Sequence, residues 1–166
     1  MVVSEGNGMN DANDAFDAFL EELQQHILEE ARRDFGEKVF DRWQKPLYMG
    51  VMHDADGWAT VKGTCGDSMT IFLKFDDDRV CSALFQTDGC GATVVCGSYA
   101  AEMALGKTPE SLLEISGESI LTELGGLPEE HRHCAFLAAA ALHAAVDNYM
   151  IKQAGKPGTE TASEGA

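Results

Sequence analysis

The sequence predicts an α+β fold: a small three-stranded antiparallel sheet covered by helices, with a long C-terminal helix and an extra N-terminal helix. Two observations carry this prediction. Segments with strand-like alternation fall together in the middle of the chain, and segments with helical periodicity follow them. The 166 residues suffice for one well-formed core and are too few for two ordinary domains. We therefore expect one folded domain with an added helix.

The N-terminal region divides into a polar start and an amphipathic helix. The residues up to Asn13 are mostly Gly, Asn, Ser and acids, a composition typical of disorder. From about Asp14, apolar side chains recur at three- and four-residue steps, and Asn13 or Asp14 is the candidate N-cap. Such a helix either packs on its own domain or offers a surface to a partner, and the pattern leaves both open. The predicted parts are a disordered N-terminus at 1–13, an additional amphipathic helix at 14–35, a folded domain at 36–152 and a flexible tail at 153–166.

The central region alternates apolar and polar residues, which predicts three strands at 58–63, 68–75 and 80–86. An acidic turn at 76–78 separates the last two, so they should form an antiparallel hairpin. After Gly91 the pattern becomes helical. Helices are predicted at 92–105, from Pro109 with Thr108 as its cap, at 117–124, and from near Pro128 to Lys152.

The chain is strongly acidic, with a formal net charge of −16. Such a surface repels phosphate backbones, which argues against nucleic acid as a partner, and it attracts cations such as Fe²⁺. By this reading no apolar run approaches the length needed to cross a bilayer, and the N-terminus lacks a basic segment followed by an apolar stretch. We therefore expect no membrane partner and a cytoplasmic location.

Five cysteines point to the chemistry of the protein. Their number is odd and the expected compartment is reducing, which favours metal binding or thiol reactivity over disulfides. Cys81 lies in a predicted strand and Cys96 in a predicted helix, and we interpret both as small buried side chains. Cys65, Cys90 and Cys134 each stand beside a glycine or a second potential metal ligand. These three thiols predict a soft-metal or iron–sulfur site, provided that they meet in space.

Each of the three segments suits a metal ligand in its own way. Cys65 and Asp67 are two residues apart, so on extended backbone their side chains would point the same way. Cys90 lies between two glycines at a strand–helix junction, where a helix N-terminus lowers the pKa of a thiol. His133 and Cys134 are adjacent near the start of the last predicted helix.

Other candidate residues carry less weight. The remaining histidines show no ligand spacing, and we interpret them as surface or satisfied side chains: His26, His53, His131 and His143. A cysteine-protease site needs one cysteine and one histidine base, and would leave Cys65 and Asp67 without a role. That class of enzyme is therefore disfavoured.

Several short segments, in this order and spacing, match a known family. They are Glu37-Lys38-Val39-Phe40-Asp41 with Lys45-Pro46, Cys65-Gly66-Asp67-Ser68-Met69, Asp88-Gly89-Cys90-Gly91-Ala92, Gly106-Lys107-Thr108, and Leu127-Pro128 followed by His133-Cys134-Ala135. Through them the stretch from about Gly36 to Ile151 resembles the IscU/NifU N-terminal (U-type) iron–sulfur cluster scaffold family.

The resemblance implies a non-enzymatic scaffold. Such a protein takes sulfur from a cysteine desulfurase, assembles a transient [2Fe–2S] cluster with iron, and passes the cluster to apo iron–sulfur proteins. By position, Cys65, Cys90 and Cys134 would bind the cluster and accept sulfur, Asp67 would keep the cluster labile, and His133 would be a further ligand. Zn²⁺ could occupy the same site.

Two features depart from the family pattern. The segment Leu127 to His131 carries two acids and no lysine, where the family often has a Leu-Pro-Pro-Val-Lys segment that a dedicated chaperone recognises. Dependence on a chaperone therefore does not follow. The second departure is the helix at 14–35, which lies outside the resemblance.

The alternative function is that of a related branch, a zinc-dependent sulfur acceptor that carries persulfide, although the insertion usual in that branch has little room here. A structural zinc domain for protein interaction is the third reading.

Overall fold

The computed structural model describes residues 8–156. Its elements in chain order are α1 (Gly8–Phe35), α2 (Glu37–Gln44), β1 (Gly57–Lys62), β2 (Ser68–Asp76), β3 (Arg79–Thr87), α3 (Gly91–Ala104), α4 (Pro109–Leu112), α5 (Gly117–Leu124), a 3₁₀ turn (Glu129–His131) and α6 (His133–Ala154). The predicted α+β class is confirmed.

The three strands form one antiparallel sheet in the order β1-β2-β3. The β2–β3 hairpin turns at Asp77 and Asp78, which take φ values of 50° and 59° in the left-handed region that Asp tolerates better than most residues. The free edge of β3 is covered by a preceding loop, because Phe85 donates its N–H to the Tyr48 carbonyl at 2.9 Å and accepts from the Gly50 N–H at 2.8 Å. The sheet therefore presents one end, where β2 begins and β3 ends, to the functional segments.

Helices α3 and α6 pack on one face of the sheet and on each other, and this layer is the core. The face that they cover buries Met69, Ile71, Leu73, Ala83 and Phe85. Small residues allow the close approach: a Cβ on Gly57 would lie 2.5 Å from the Ala145 carbonyl oxygen of α6. The alanine-rich sequence of α6 thus serves close packing on β1.

The last helix corrects one prediction. The segment Glu129–Ala154 is long and apolar enough, by length and composition alone, to cross a membrane, with a mean hydropathy of 1.4 in its most apolar window. The prediction that no apolar run approaches that length is therefore wrong. In the fold this segment is the central core helix, with Leu142 and Val146 fully buried. Its apolar character is accounted for by the core.

Helix α1 begins earlier than predicted. Residues 8–13 are helical, so Asn13 and Asp14 lie inside the helix and do not cap it, while residues 1–7 lie outside the described part of the chain. Its C-terminal turn packs on α2, where the Arg32 guanidinium lies 4.6 Å from the centre of the Phe40 ring. Its apolar stripe is exposed to solvent: Phe16, Phe19, Leu20, Leu23 and Ile27.

The C-terminal end of the chain departs from the prediction less than the N-terminal end does. Helix α6 continues to Ala154, two residues past its predicted end, and residues 157–166 of the predicted tail lie outside the described range. The predicted cap of α4 is confirmed, unlike that of α1. The Thr108 hydroxyl accepts the Ser111 N–H at 3.3 Å, and Pro109 occupies the first turn of α4.

Candidate functional site

The candidate site lies at the end of the sheet where β2 begins and β3 ends. Polar contacts tie the segments together there: the Ser68 N–H donates to Asp88 Oδ1 at 2.6 Å, and the Thr87 hydroxyl donates to the Ser68 carbonyl at 2.6 Å. The Gly89 N–H in turn donates to Thr87 Oγ1 at 3.1 Å. The loop that carries Cys90 is therefore held against the start of β2.

Two cysteines and a histidine meet at this end. Their ligand atoms, the sulfurs of Cys90 and Cys134 and a ring nitrogen of His131, all lie within 4.8 Å of one another. We call this group the Cys–His site. Cys90 is the N-cap residue directly before α3, Cys134 comes from the first turn of α6 and His131 from the 3₁₀ turn before it. The structure thus brings together two of the three predicted cysteines.

His131 is the site residue that sequence reasoning missed. It was interpreted as a surface or satisfied side chain, but it lies in the Cys–His site and is half-buried. A signal was present, because His131 and Cys134 are three residues apart and residues at that spacing share one face of a helix. The expected imidazole, His133, is exposed, and its Nε2 lies 3.7 Å from the Cys134 sulfur.

Thr93 is the polar centre of the site. It is fully buried on α3, one turn after Cys90. Its Oγ1 lies 3.0 Å from Asp67 Oδ2, 3.3 Å from the Cys134 sulfur and 3.6 Å from the Cys90 sulfur. A hydroxyl has one proton to donate, and the carboxylate is its strongest acceptor here. Thr93 therefore links Asp67 to both thiols.

The glycines beside Cys90 serve packing. A Cβ on Gly89 would lie 2.7 Å from Asp67 Oδ2 and from the Thr93 side chain, and a Cβ on Gly91 would lie 2.7 Å from the Trp43 indole nitrogen. Having no side chain, both glycines allow Asp67, Thr93 and Trp43 to approach the Cys90 backbone.

Cys65 lies apart from the Cys–His site, on the turn between β1 and β2. This turn is not the extended segment that we expected, because the Gly63 N–H donates to the Asp67 carbonyl at 2.8 Å and Gly66 takes a φ of +92°. Cys65 is exposed on the turn, whereas Asp67 points to Thr93. The Cys65 sulfur is not part of the group that Cys90, His131 and Cys134 form within 4.8 Å of one another.

The thiols at the site differ in acidity. Burial acts to raise the pKa of Cys90, but the N–H groups of Thr93 and Ala92 and the Thr93 hydroxyl outweigh it, so that this pKa lies below its usual value. Burial raises the pKa of Cys134 to about 11, and the Thr93 hydroxyl offsets this only in part. Beneath both, Cys96 is fully buried as predicted, and burial strongly raises its pKa.

Cys81 corrects a further prediction. We interpreted it as a small buried side chain, but it is exposed on β3. Its sulfur lies 3.5 Å from the Lys74 carbonyl oxygen, near the β2–β3 turn at the other end of the sheet from Cys90. Cys81 is therefore separate from the site.

An apolar groove of about 250 Å³ opens beside Cys90 and His131. Helix α1 contributes one wall through Ala31 and Phe35, and α2 contributes another through Phe40 and Trp43. The Phe35 ring lies 5.3 Å from the His131 ring, centre to centre. The last turn of α1 is thus part of the site's surroundings.

The donor set fits a soft or borderline metal. Thiolate sulfur and imidazole nitrogen bind zinc and iron, and a tetrahedral zinc with bonds of ~2.0–2.3 Å places its ligand atoms roughly 3.3–3.8 Å apart. Ligand atoms within 4.8 Å of one another therefore need side-chain movements of about 1 Å to close on a metal. The exposed side of Cys90 leaves the site open to solvent.

Comparison with known proteins identifies the family. The model of the NifU-like N terminal domain family matches residues 34–156, which hold every element after α1 and the whole Cys–His site. The chain belongs to the IscU/NifU family of U-type proteins. Residues 8–33, the greater part of α1, lie outside the match.

Curated relatives within the IscU/NifU family are similar over the same region. Iron-sulfur cluster assembly scaffold protein IscU 1 of Archaeoglobus fulgidus is 45% identical over 119 residues, which cover 71% of this chain and 78% of that protein. The scaffold protein IscU of Aquifex aeolicus is 35% identical over 123 residues, covering 72% and 78%. The crystal structure of the N-terminal NifU-like protein from Brucella abortus superposes with a TM-score of 0.58 at 20% identity, over 73% of this chain and 97% of that one. This last likeness concerns the fold.

Proposed function

We propose that this IscU/NifU family member is a scaffold on which a labile [2Fe–2S] cluster is assembled and from which it is passed to apo-proteins. The single observation that carries the proposal is the convergence of Cys90, Cys134 and His131 at an exposed end of the sheet. The scaffold names of the relatives that are 45% and 35% identical to this chain over the aligned residues support it.

In this proposal the three cysteines Cys65, Cys90 and Cys134 bind the cluster and accept sulfur. Cys90 is the best nucleophile by environment, because its pKa is lowered and its side chain is exposed. Its thiolate attacks the outer sulfur of a persulfide on a cysteine desulfurase. A sulfur–sulfur bond forms to Cys90, the bond within the donor persulfide breaks, and the donor cysteine leaves as a thiolate. The desulfurase is thus the proposed sulfur-donating partner.

Asp67 gives the scaffold its ability to release the cluster. Iron in such clusters prefers thiolate, and a carboxylate is a harder and weaker partner. Asp67 is half-buried and held next to the two thiols by Thr93. A site completed by this carboxylate, or by the His133 imidazole, would hold a cluster less firmly than four thiolates would.

The protein's own contribution is binding and transfer, without catalytic turnover. Its formal net charge of −16 favours Fe²⁺ and basic partner surfaces. Assembly in the cytoplasm, where thiols stay reduced, is consistent with five free cysteines. Zn²⁺ would occupy the same ligands in a preparation that lacks iron.

Anaerobic reconstitution tests the proposal. The full chain is incubated with Fe²⁺, a cysteine desulfurase, cysteine and a reductant, and visible charge-transfer absorption is recorded before and after addition of an apo-ferredoxin. We expect a [2Fe–2S] spectrum that moves to the ferredoxin. Cys90→Ala and Cys134→Ala should abolish it, while Cys81→Ser, an exposed cysteine outside the site, should behave as the unmodified chain.

Either of two outcomes would overturn the scaffold proposal. Tight Zn²⁺ that iron does not replace, together with faster desulfurase turnover, would indicate the zinc-dependent sulfur acceptor. Zn²⁺ needed only for folding, with no sulfur chemistry at all, would indicate a structural zinc domain.

A further inference from the structure

We propose that helix α1 is a docking surface for a basic amphipathic helix of another protein, and that a partner bound there lies beside Cys90. The surface is one row of apolar side chains, which we call the α1 ridge: Phe19, Leu23, Ile27, Ala31 and Phe35. Docking does not depend on the proposed function. Only its use, which is to bring a partner to the cluster site, rests on that function.

The α1 ridge runs without interruption from solvent to the groove beside Cys90. Its members follow one another at four-residue steps, the spacing that lines up side chains in one row along a helix. At one end Phe19 and Leu23 are 58% and 44% exposed. At the other end Ala31 and Phe35 line the same groove of about 250 Å³ as Cys90. A helix laid along the ridge therefore reaches the thiol that is the best nucleophile of the site.

The exposed part of the ridge is not used by the chain's own core. Every residue of α1 from 10 to 27 is exposed, and the family match begins only at residue 34. Phe16, beside the ridge, is 60% exposed as well. Large apolar side chains gathered on one exposed face mark a contact with another molecule.

The charge on α1 indicates the kind of partner. Residues 8–31 contain seven acids and no Lys or Arg. On the helical wheel Asp17 and Glu21 lie to one side of the ridge, and Glu22 and Glu29 lie to the other. An apolar row between two rows of carboxylates complements a helix whose apolar face is bordered by Lys or Arg.

A second copy of the chain fits this surface poorly. Two α1 helices paired along their ridges would bring together seven acids from each copy, and like charges at short range repel. The basic residues at the end of α1 are engaged within their own chain. The Arg32 guanidinium lies 4.6 Å from the centre of the Phe40 ring, and Arg33 lies 3.7 Å from the Glu30 carboxylate.

Two other occupants are disfavoured by the same charge. The ends of the chain outside the described range, residues 1–7 and 157–166, carry no Lys or Arg. A lipid surface is disfavoured because helices that lie on membranes carry Lys and Arg on their polar face, whereas anionic headgroups repel carboxylates. A basic helix of another protein is the occupant that these residues favour.

Fluorescence anisotropy of a labelled peptide tests the docking. The probe is a designed helix of about 20 residues, long enough to cover residues 16–35, with Leu at three- and four-residue steps and Lys elsewhere. We expect it to bind the full chain. The same peptide with Glu in place of every Lys should bind at least about tenfold more weakly, and high salt should reduce this difference.

A pair of variants tests the ridge itself. Leu23→Ala removes an exposed apolar side chain and keeps a strong helix former, and it should weaken binding of the Lys peptide by about fivefold or more. The matched control is Ala18→Gln, because Ala18 is exposed on the same helix and projects about 140° away from Leu23. It should bind like the unmodified chain. Far-UV circular dichroism should show the same helix content in all three proteins.

Alkylation tests whether the bound peptide lies beside Cys90. With the Lys peptide at about ten times its Kd, iodoacetamide should modify Cys90 roughly tenfold more slowly, because the occupied groove covers the thiol. Cys81 is the internal control, because it is exposed at the other end of the sheet and should keep its rate. In Leu23→Ala the same peptide concentration should protect Cys90 less.

Four results would overturn the docking surface. They are equal binding of the Lys and Glu peptides, undiminished binding to Leu23→Ala, a dimer of the full chain that Leu23→Ala dissociates, and binding to phosphatidylcholine–phosphatidylglycerol vesicles that Leu23→Ala abolishes. Unchanged alkylation of Cys90 would remove the placement of the partner beside the site. Peptide binding through the α1 ridge with no cluster formed in the reconstitution would leave the docking surface standing and remove the proposed function instead.

Discussion

Cys90 and Cys134 converge on one site from two helices, and the chain surrounds them differently. Cys90 is exposed at the N-cap position of α3, where the backbone N–H groups of the first turn favour its thiolate. Cys134 is fully buried at the first turn of α6, and burial raises its pKa to about 11. The pair teaches that equivalent ligands need not be equivalent nucleophiles: one thiol suits attack on incoming sulfur, and the other needs a metal to become a thiolate.

The largest expected effect is the difference in alkylation rate between these two thiols. At pH 7 a thiol with a pKa of about 11 is a thiolate in roughly one molecule in 10⁴. The pKa of Cys90 is lowered, so its thiolate fraction exceeds that of an ordinary thiol. In metal-free protein, iodoacetamide should therefore modify Cys90 at least ~100-fold faster than Cys134, as followed by peptide mass spectrometry.

The pH dependence of the alkylation rate separates the acidity of each thiol from its accessibility to the reagent. Between pH 7 and 9 the Cys134 rate should rise about tenfold per pH unit, because its thiolate fraction does so below its pKa. The Cys90 rate should level off at a lower pH. The same chain unfolded in urea is the control, and there the two rates should converge. Equal rates in the folded chain would contradict the comparison.

The next prediction concerns Asp67, because its carboxylate is linked to the two thiols by the Thr93 hydroxyl. Asp67→Ala should slow transfer of the cluster to apo-ferredoxin by about tenfold, the effect of one charge-assisted interaction of ~1.4 kcal/mol. It should also speed alkylation of Cys90, because the Asp67 charge raises the Cys90 pKa and its removal lowers it further. Asp67→Asn keeps the shape without the charge and is the control. Equal transfer rates for Asp67→Ala and the unmodified chain would remove its role.

Most of the fold could be predicted from the sequence, because the local preferences of the strands, turns and helix ends agree with the final packing. Strand alternation and the acidic turn placed the hairpin within about a residue, and Gly91 and Pro109 marked helix starts that the structure retains. The start of α1 was missed because Asn13 resembles a cap, yet the helix continues through it. Cys81 was misread because its strand has one exposed face, and its neighbour Val80 takes the buried one.

The site was less predictable than the fold. Three cysteine segments indicated a shared site, but the β1–β2 turn sends Cys65 and Asp67 different ways, which spacing alone could not show. His131 was overlooked because each histidine was weighed by itself, without its three-residue step to Cys134. Thr93 gave no signal, because a threonine on an apolar helix becomes a polar centre only when other segments fold against it.

The smallest expected effect, and the most specific, comes from Thr93→Val, which keeps the shape of the side chain and removes its hydroxyl. That hydroxyl lowers the pKa of Cys90, so its loss should raise this pKa and slow alkylation of Cys90 at pH 7. The hydroxyl has one proton, which serves either Cys90 or Asp67 at a given time; where it serves Asp67, at 3.0 Å, its loss leaves a less compensated carboxylate, which raises the same pKa. In either case the pKa of Cys90 changes in the same direction. One hydrogen bond of ~0.5–1.5 kcal/mol corresponds to a rate roughly two- to tenfold lower.

Thr93→Ser is the matched control, because it keeps the hydroxyl and removes only a methyl group. It should restore the Cys90 rate and the midpoint of its pH profile. A purely structural role for Thr93 predicts the opposite ranking, since a buried Ser leaves a small void whereas Val fills the space. If Thr93→Ser alkylates as slowly as Thr93→Val, the methyl group and not the hydroxyl matters. Thr93 would then be a packing residue, and the link between Asp67 and the two thiols would have no chemical consequence.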